Sequence, residues 1–312
     1  MSDGKIVTVG VSPSWDITLA VDGIEWGQHR TVSNCTENTA GKALNVSKAM
    51  AYMGKNSTAA GLWGTDDIDK AKLAIREFKH IDAKLTAAPG RTRENVTVVD
   101  TVAGREMHLR QESELATPAS LAMLKTDLET IVTEGDICVF SGSIPERVVK
   151  TVGQIMDMCR RRGARIVLDT SGPALRQLTA SGHLWIIKPN VAELSQILGR
   201  ELKNDAYELT KAGTVLLEKS QIVLISRGPE GAIAVTARGA WTAKAVEQRK
   251  VFSTVGCGDF LLAGFVEKMA QDSDIEHALR QGIRLAIVRA WAIADWKSAQ
   301  EIDIRIEGMK TE

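Results

Sequence analysis

The sequence has little of several features that mark large classes of protein. Phe, Trp and Tyr make up 4% of the 312 residues, which argues against aromatic platforms that stack on single-stranded nucleic acid. Lys+Arg and Asp+Glu are equal at 39 each, so no net charge attracts nucleic acid or an anionic membrane. No apolar run approaches the length that crosses a bilayer. We therefore expect neither a nucleic-acid nor a membrane partner.

Cysteine is scarce and scattered. The sequence contains no C-x-x-C pair, which argues against a disulfide framework or a zinc site; its cysteines are Cys35, Cys138, Cys159 and Cys257. The five histidines show no metal-ligand spacing. The chain begins with a short polar segment and then Ile6–Gly10, which is typical of a first strand rather than a signal peptide. These features predict a cytoplasmic protein.

The hydrophobic periodicity predicts two sheets of different character. From residue 118 onward, helices alternate with short apolar strands, which indicates βαβ units and a doubly wound, mainly parallel sheet covered on both faces. Segments 13–37 and 89–111 are more polar, with a strand predicted at 28–32 and a hairpin at 91–110. We expect these segments to form a small β lid on an α/β body of residues 1–12, 38–88 and 112–312. A sheet with one open face needs a cover, so a homodimer through the lid is expected.

The run from Ser253 to Asp259 is the most informative stretch. Gly256 and Gly258 flank Cys257 and precede an apolar helix, so backbone N–H groups and the positive helix end favour a phosphate or a developing oxyanion. Asp259 lies in the first turn, where a carboxylate either caps the helix or accepts a proton. An ordinary glycine turn with an Asp cap also explains this run when it is taken alone.

Polar residues follow four other predicted strands at the point where each strand ends. These loops contain Ser141-Gly142, Asp169-Thr170-Ser171-Gly172, Lys188-Pro189-Asn190 and Ser226-Arg227-Gly228. Ligands of open parallel sheets lie beyond the carboxyl ends of the strands. Five loops of this kind together predict a lined cleft.

Two further patterns each have a structural and a functional interpretation. Asn190 and Glu193 have the spacing of a capping box, which needs no ligand, or they lie over a hydrated Mg²⁺ that bridges nucleotide phosphates. The run from Gly41 to Asn45 is a plain helix start, or it brings backbone close to a sugar, with Asn45 and Asp16 bonding hydroxyls.

Arg93, on the predicted lid hairpin, has the same two interpretations. A charged residue on a strand is ordinarily solvated. If the lid closes over the cleft, however, the guanidinium becomes a fork for a phosphate already carried by the substrate.

Seven runs occur in a fixed order along the chain. They are residues 12–16 (SPSWD), 40–46 (AGKALNV), 90–96 (GRTRENV), 141–145 (SGSIP), 169–172 (DTSG), 188–193 (KPNVAE) and 253–259 (STVGCGD). Taken together, these runs make the chain resemble the phosphofructokinase B family of the ribokinase-like superfamily over nearly its whole length. The phosphosugar branch, with bacterial 1-phosphofructokinase and tagatose-6-phosphate kinase, is the most similar part of the family.

The resemblance implies a three-layer α/β/α fold with a β lid, and a role for each matching residue. Asp259 is then the catalytic base, with the Gly256, Cys257 and Gly258 amides as the anion hole. The implied sugar-phosphate site contains Asp16, Gly41, Lys42, Asn45, Arg93 and Ser141. The implied nucleotide site contains Lys188, Asn190, Glu193, Ser226, Gly228, Gly231, Gly256 and Gly258. Asn190 and Glu193 are implied to organise Mg²⁺ through water.

The implied activity is transfer of the ATP γ-phosphoryl group to a ketohexose phosphate, with fructose 1-phosphate as the expected acceptor. Tagatose 6-phosphate, fructose 6-phosphate, an unphosphorylated sugar or a nucleoside are alternative acceptors, and a non-catalytic sugar-phosphate sensor is a further alternative. The chain departs from the family pattern at several positions. Cys257 replaces the usual Ala, Phe260 replaces a small residue, and the segment 284–289 is bulkier than in relatives near the adenine.

Overall fold

The computed structural model describes residues 4–309, which form two β-sheets and the helices around them. In chain order the strands are β1 (Ile6–Gly10), β2 (Ser14–Val21), β3 (Val32–Ala40), β4 (Ser57–Gly64), β5 (Ile81–Ala88), β6 (Glu94–Asp100), β7 (Arg105–Arg110), β8 (Ile137–Ser141), β9 (Arg165–Asp169), β10 (Leu184–Ile187), β11 (Ser220–Ser226), β12 (Ala232–Thr236), β13 (Gly239–Ala245) and β14 (Ile304–Met309). The helices are α1 (Lys42–Tyr52), α2 (Ile68–Arg76), α3 (Pro118–Ile131), α4 (Val149–Arg161), α5 (Gly172–Ser181), α6 (Val191–Leu198), α7 (Ala206–Leu216), α8 (Cys257–Gln271), α9 (Ile275–Trp291) and α10 (Trp296–Gln300).

The larger sheet is mainly parallel, as the sequence predicts. Its strand order is β14-β13-β12-β11-β10-β9-β8-β1-β4-β5, and every pair from β11 to β5 is parallel. Strands β12, β13 and β14 add an antiparallel edge. Strands β4 and β8 are buried at every residue, because helices cover both faces of the sheet.

Two hydrophobic clusters fill the space between the sheet and its two helix layers. One cluster contains buried residues of α3, α4, α5 and α7, for example Leu121 and Ile155. The other contains buried residues of α1, α8 and α9, for example Met50, Leu262 and Leu279. The predicted three-layer α/β/α architecture is therefore confirmed. Across residues 4–309, no helix is both long and apolar enough to cross a membrane.

The smaller sheet has the strand order β3-β2-β6-β7 and contains the predicted hairpin as β6 and β7. The strand predicted at 28–32 is wrong: residues 28–31 are loop, and β3 runs from Val32 to Ala40 instead. That strand is mostly polar and exposed, so it lacks the apolar alternation that marks a strand in a sequence. It forms because β2 provides a partner along its whole length.

Candidate active site

The loop before α8 places open backbone N–H groups at the edge of the large sheet. Gly256 is the first residue before the helix and has a φ of 81°, a left-handed conformation that glycine adopts without strain. Among residues 4–309, the N–H groups of Gly256 and Gly258 find no hydrogen-bond acceptor, whereas the N–H of Cys257, predicted as the third donor of the anion hole, donates to the Thr254 carbonyl over 3.4 Å. Two unsatisfied donors at a helix N-terminus favour an anion.

The Asp259 side chain makes no capping hydrogen bond to α8, so the interpretation of this carboxylate as a helix cap is wrong. It is 4% exposed, and its Oδ2 accepts a hydrogen bond of 2.9 Å from Asn45 Nδ2 on α1. Burial, together with the charge of Asp169, raises the pKa of Asp259 to about 6, against the opposing effect of Lys42. A carboxylate with this pKa is suited to accept a proton near neutral pH.

Asp169, at the end of β9, contacts both Lys188 on the predicted nucleotide side of the site and Lys42 on the predicted sugar side. Its carboxylate is fully buried and lies 3.1 Å from Lys188 Nζ and 3.5 Å from Lys42 Nζ, with Ser141 Oγ donating over 3.2 Å. Burial disfavours the charged form of Asp169, but Lys188 and Lys42 outweigh it and lower its pKa. Asp169 in turn raises the pKa of Lys42. Sequence reasoning singled out the loop of Asp169 but gave the residue no role.

The capping box at the start of α6 is present as the spacing predicts. Asn190 Oδ1 accepts from the Glu193 N–H, and Glu193 Oε2 accepts from the Asn190 N–H, each over 2.9 Å. Asn190 also pairs with Ser226 in an isolated parallel bridge, and the Ser226 N–H donates to the Pro189 carbonyl over 3.0 Å. Residues 188–193 and Ser226 therefore lie together beyond the carboxyl ends of β10 and β11.

Gly228 and Gly231 bound a single turn after β11. The Arg227 N–H donates to the Gly231 carbonyl over 2.8 Å, and the Gly231 N–H donates to the Gly228 carbonyl over 3.0 Å. A Cβ atom on Gly231 would lie 1.9 Å from the Ala243 carbonyl oxygen, so packing alone demands glycine there.

The smaller sheet meets the larger sheet beside α1. Gly41 has a φ of 119°, and a Cβ atom there would lie 3.3 Å from Pro13 Cα. A cavity of about 30 Å³ lies among Ser12, Gly41, Lys42, Ser141 and their neighbours. Within the described residues, the buried Ser12 Oγ has no hydrogen-bond partner.

Asp16 faces Asn95 across strands β2 and β6 of the smaller sheet. Asn95 Nδ2 donates to Asp16 Oδ1 over 2.9 Å, and Ser14 Oγ donates to the same oxygen over 3.0 Å. The Asn95 Oδ1 is buried and, across residues 4–309, has no hydrogen-bond partner. Asn95 belongs to one of the matching runs, yet sequence reasoning assigned it no role.

The Arg93 guanidinium is hydrogen-bonded to backbone carbonyl groups and is only partly free to bind a phosphate. Its guanidinium donates to the carbonyl groups of Ser12 and Pro13, each over 3.2 Å, and of Gln111 over 2.8 Å. Three of the five N–H groups of an arginine are used in this way, so two remain for a ligand. Burial lowers the pKa of Arg93 from its ordinary value.

Comparison with known proteins places this geometry in a family. A family model described as "pfkB family carbohydrate kinase" matches residues 3–290. The chain is 31% identical to a 1-phosphofructokinase of Rhodobacter capsulatus, over 88% of this chain and 87% of that protein. It is 30% identical to the 1-phosphofructokinase of Escherichia coli K12, over 90% and 89% of the two chains.

A solved structure has the same fold. Phosphofructokinase-2 of Escherichia coli, in complex with fructose-6-phosphate, superposes with a TM-score of 0.88 at 24% sequence identity, covering 96% of this chain and 98% of that one. The protein described here belongs to the pfkB family of carbohydrate kinases.

Proposed function

We propose that this kinase transfers the γ-phosphoryl group of ATP to a hydroxyl group of a ketohexose phosphate, with fructose 1-phosphate as the preferred acceptor. Membership in the family implies the use of ATP, and relatives at about 30% identity that carry the name 1-phosphofructokinase support the acceptor. The observation that carries the proposal is the buried Asp259, with a pKa of about 6, which lies one residue after Gly258 and three after Gly256, the two glycines with open backbone N–H groups.

In the proposed reaction Asp259 accepts the proton of the acceptor hydroxyl group. The hydroxyl oxygen attacks the γ-phosphorus, the bond from that phosphorus to the bridging oxygen breaks, and ADP leaves. Such transfer needs positioning and charge stabilisation more than covalent chemistry. The open N–H groups of Gly256 and Gly258 stabilise the charge on the moving group, and Lys188 and Lys42 add positive charge close to it.

The nucleotide is assigned to the edge formed by Lys188, Asn190, Glu193, Ser226 and the Gly228–Gly231 turn. Among the described residues no three acidic, His or Cys side chains form a metal cluster. Mg²⁺ keeps several waters and takes few protein ligands, so this sparse set fits it. Asn190 and Glu193 would hold the ion through water, and the ion would neutralise phosphate charge.

The acceptor is assigned to the lid side, where Asp16, Asn45 and Gly41 hold the sugar and Arg93 and Ser141 hold its phosphate. The unpartnered Ser12 Oγ and Asn95 Oδ1 support this assignment, because buried polar atoms without partners are costly unless a ligand satisfies them. The lid segments, 13–37 and 89–111 with β3 extended to Ala40, would exclude water that otherwise competes for the phosphoryl group.

The function is tested by ADP release with fructose, fructose 1-phosphate, fructose 6-phosphate and tagatose 6-phosphate. We expect the highest kcat/KM with fructose 1-phosphate, and fructose 1,6-bisphosphate as the product. A highest kcat/KM with fructose itself would instead indicate a kinase of unphosphorylated sugars. Sugar-phosphate binding by calorimetry without ADP release would indicate a sensor.

Replacing Arg93 with alanine is expected to raise the KM for fructose 1-phosphate about 10- to 100-fold, the value of a charge-assisted bond to phosphate. The KM for ATP should stay unchanged, since the nucleotide lies at the other edge. Arg91→Ala is the matched control, because Arg91 is an exposed cation two residues away that pairs with Glu94. An equal rise in both KM values would show that Arg93 only holds the lid together.

We further propose that two copies associate through the lid. Strand pairing places one apolar row on a single lid face; this row contains Ile17, Leu19, Val96, Val98, Met107 and Leu109. Leu109→Asp, at a side chain that is 52% exposed, is expected to convert a dimer to a monomer in light scattering. Glu106→Lys, three residues away on the same strand and on the other face, should leave the dimer intact. A wild-type monomer at micromolar concentration would contradict the proposal.

A further inference from the structure

Helix α9 packs unusually close to α8, and this brings its last turn to the loop before α8. A Cβ atom on Gly264 would lie 2.8 Å from the Gln281 carbonyl oxygen, and one on Gly282 would lie 2.9 Å from the Leu261 carbonyl oxygen. The glycines therefore permit a backbone approach that other residues would prevent. Arg289, in the last turn of α9, lies against the Gly256 loop as a result.

The contacts of Arg289 are few and specific. Its Nε donates to the Val255 carbonyl over 2.9 Å, and a Cβ atom on Gly256 would lie 3.5 Å from the same nitrogen. The neighbouring Ala290 carbonyl accepts from the Phe252 N–H over 2.7 Å. Within residues 4–309, Val255 is the only hydrogen-bond partner of the Arg289 side chain, and no carboxylate lies at ion-pair distance from it.

We propose that Arg289 is a positioning residue for phosphoryl transfer, which aims the first N–H group of the anion hole; this rests on the proposed function. The Val255 carbonyl and the Gly256 N–H belong to one planar, trans peptide group, so they point in opposite directions. Holding the carbonyl oxygen on the guanidinium therefore fixes the direction of the N–H. Gly256, with its φ of 81°, has the freedom to turn this peptide away when the carbonyl is released.

The charge of Arg289 matters as well as its hydrogen bond. A bond from a cation to a carbonyl oxygen is stronger than one between neutral groups. A substitution that keeps a positive charge at this position should therefore keep part of the hold on the Val255 carbonyl.

The test compares Arg289→Ala and Arg289→Lys with Arg280→Ala. Arg280 is a matched control, since it lies on the same helix and its Nη1 donates to a backbone carbonyl, that of Ile304, over 2.8 Å. Arg289→Ala is expected to lower kcat about 100-fold, as misplacing or removing one oxyanion donor does, with the KM for fructose 1-phosphate changed less than about twofold. Arg289→Lys should keep part of kcat, and added guanidinium should restore part of kcat to Arg289→Ala.

A second readout needs no turnover and separates this inference from the function. Hydrogen exchange of the amides of residues 252–258 is expected to quicken about tenfold in Arg289→Ala and to stay unchanged in Arg280→Ala. If no sugar phosphate is turned over by the wild type, the proposed function fails while the exchange still decides the role of Arg289. Unchanged exchange in Arg289→Ala, or an equal kcat loss in Arg280→Ala, would overturn the inference.

Discussion

Asp259→Asn is expected to lower kcat by about 10²- to 10⁴-fold, because it removes the group that accepts the proton of the attacking hydroxyl. Asparagine keeps the size of the side chain and an oxygen that can accept from Asn45 Nδ2, so the loop should keep its shape. ATP affinity, measured by calorimetry, is therefore expected to change little. An unchanged kcat would remove Asp259 from the mechanism.

The same substitution is expected to leave the protein at least as stable at pH 7. The pKa of Asp259 is raised to about 6 from an ordinary value of 3.8, chiefly by burial, so the folded state binds the proton more tightly than the unfolded state. The free energy of unfolding contributed by this group therefore falls as the pH rises from about 4 to about 6. Asparagine removes that cost, so a loss of activity with retained stability separates chemistry from misfolding.

Asp169→Asn is expected to lower the free energy of unfolding by about 3–5 kcal/mol, because it leaves the buried ammonium group of Lys188 without its carboxylate. Urea denaturation measures this loss. The substitution should also lower the pKa of Asp259, since the charge of Asp169 is the second cause that raises it.

Asp136→Asn is the control for that prediction. Asp136 is a second buried carboxylate, which accepts from the Lys5 and Thr133 N–H groups at the opposite end of the strands. Asp136→Asn should lower the free energy of unfolding without changing the pH dependence of the reaction. If Asp169→Asn and the wild type unfold at the same urea concentration, the buried ion pair does not stabilise the folded protein.

The sequence predicts the loops around this site better than the buried polar contacts at its centre. Parallel strands bring their carboxyl ends to one edge, so the loops after β8, β9, β10 and β11 are correctly placed together. The Asn190–Glu193 capping box follows from local spacing alone, and so its prediction is confirmed. Local rules suffice where the interacting groups are close in sequence.

The centre depends on side chains that are far apart in the chain. Asp169 and Lys42 are separated by 127 residues, and Asn45 and Asp259 by 214. No periodicity signals such pairs, because side-chain packing decides which polar groups share a buried space. For the same reason, the sequence gives no sign of the hydrogen bond from Arg289 to Val255. Nor does it signal the polar strand β3, which forms because it pairs with β2.

The most direct test is the pH dependence of kcat/KM for fructose 1-phosphate, followed by ADP release from pH 5 to pH 9. Only ionised Asp259 can accept the hydroxyl proton, so kcat/KM of the wild type should rise with pH through about 6 and then level off. Asp259→Asn should lose this rise along with its activity. A pH-independent wild type, or the same rise in Asp259→Asn, would contradict the account.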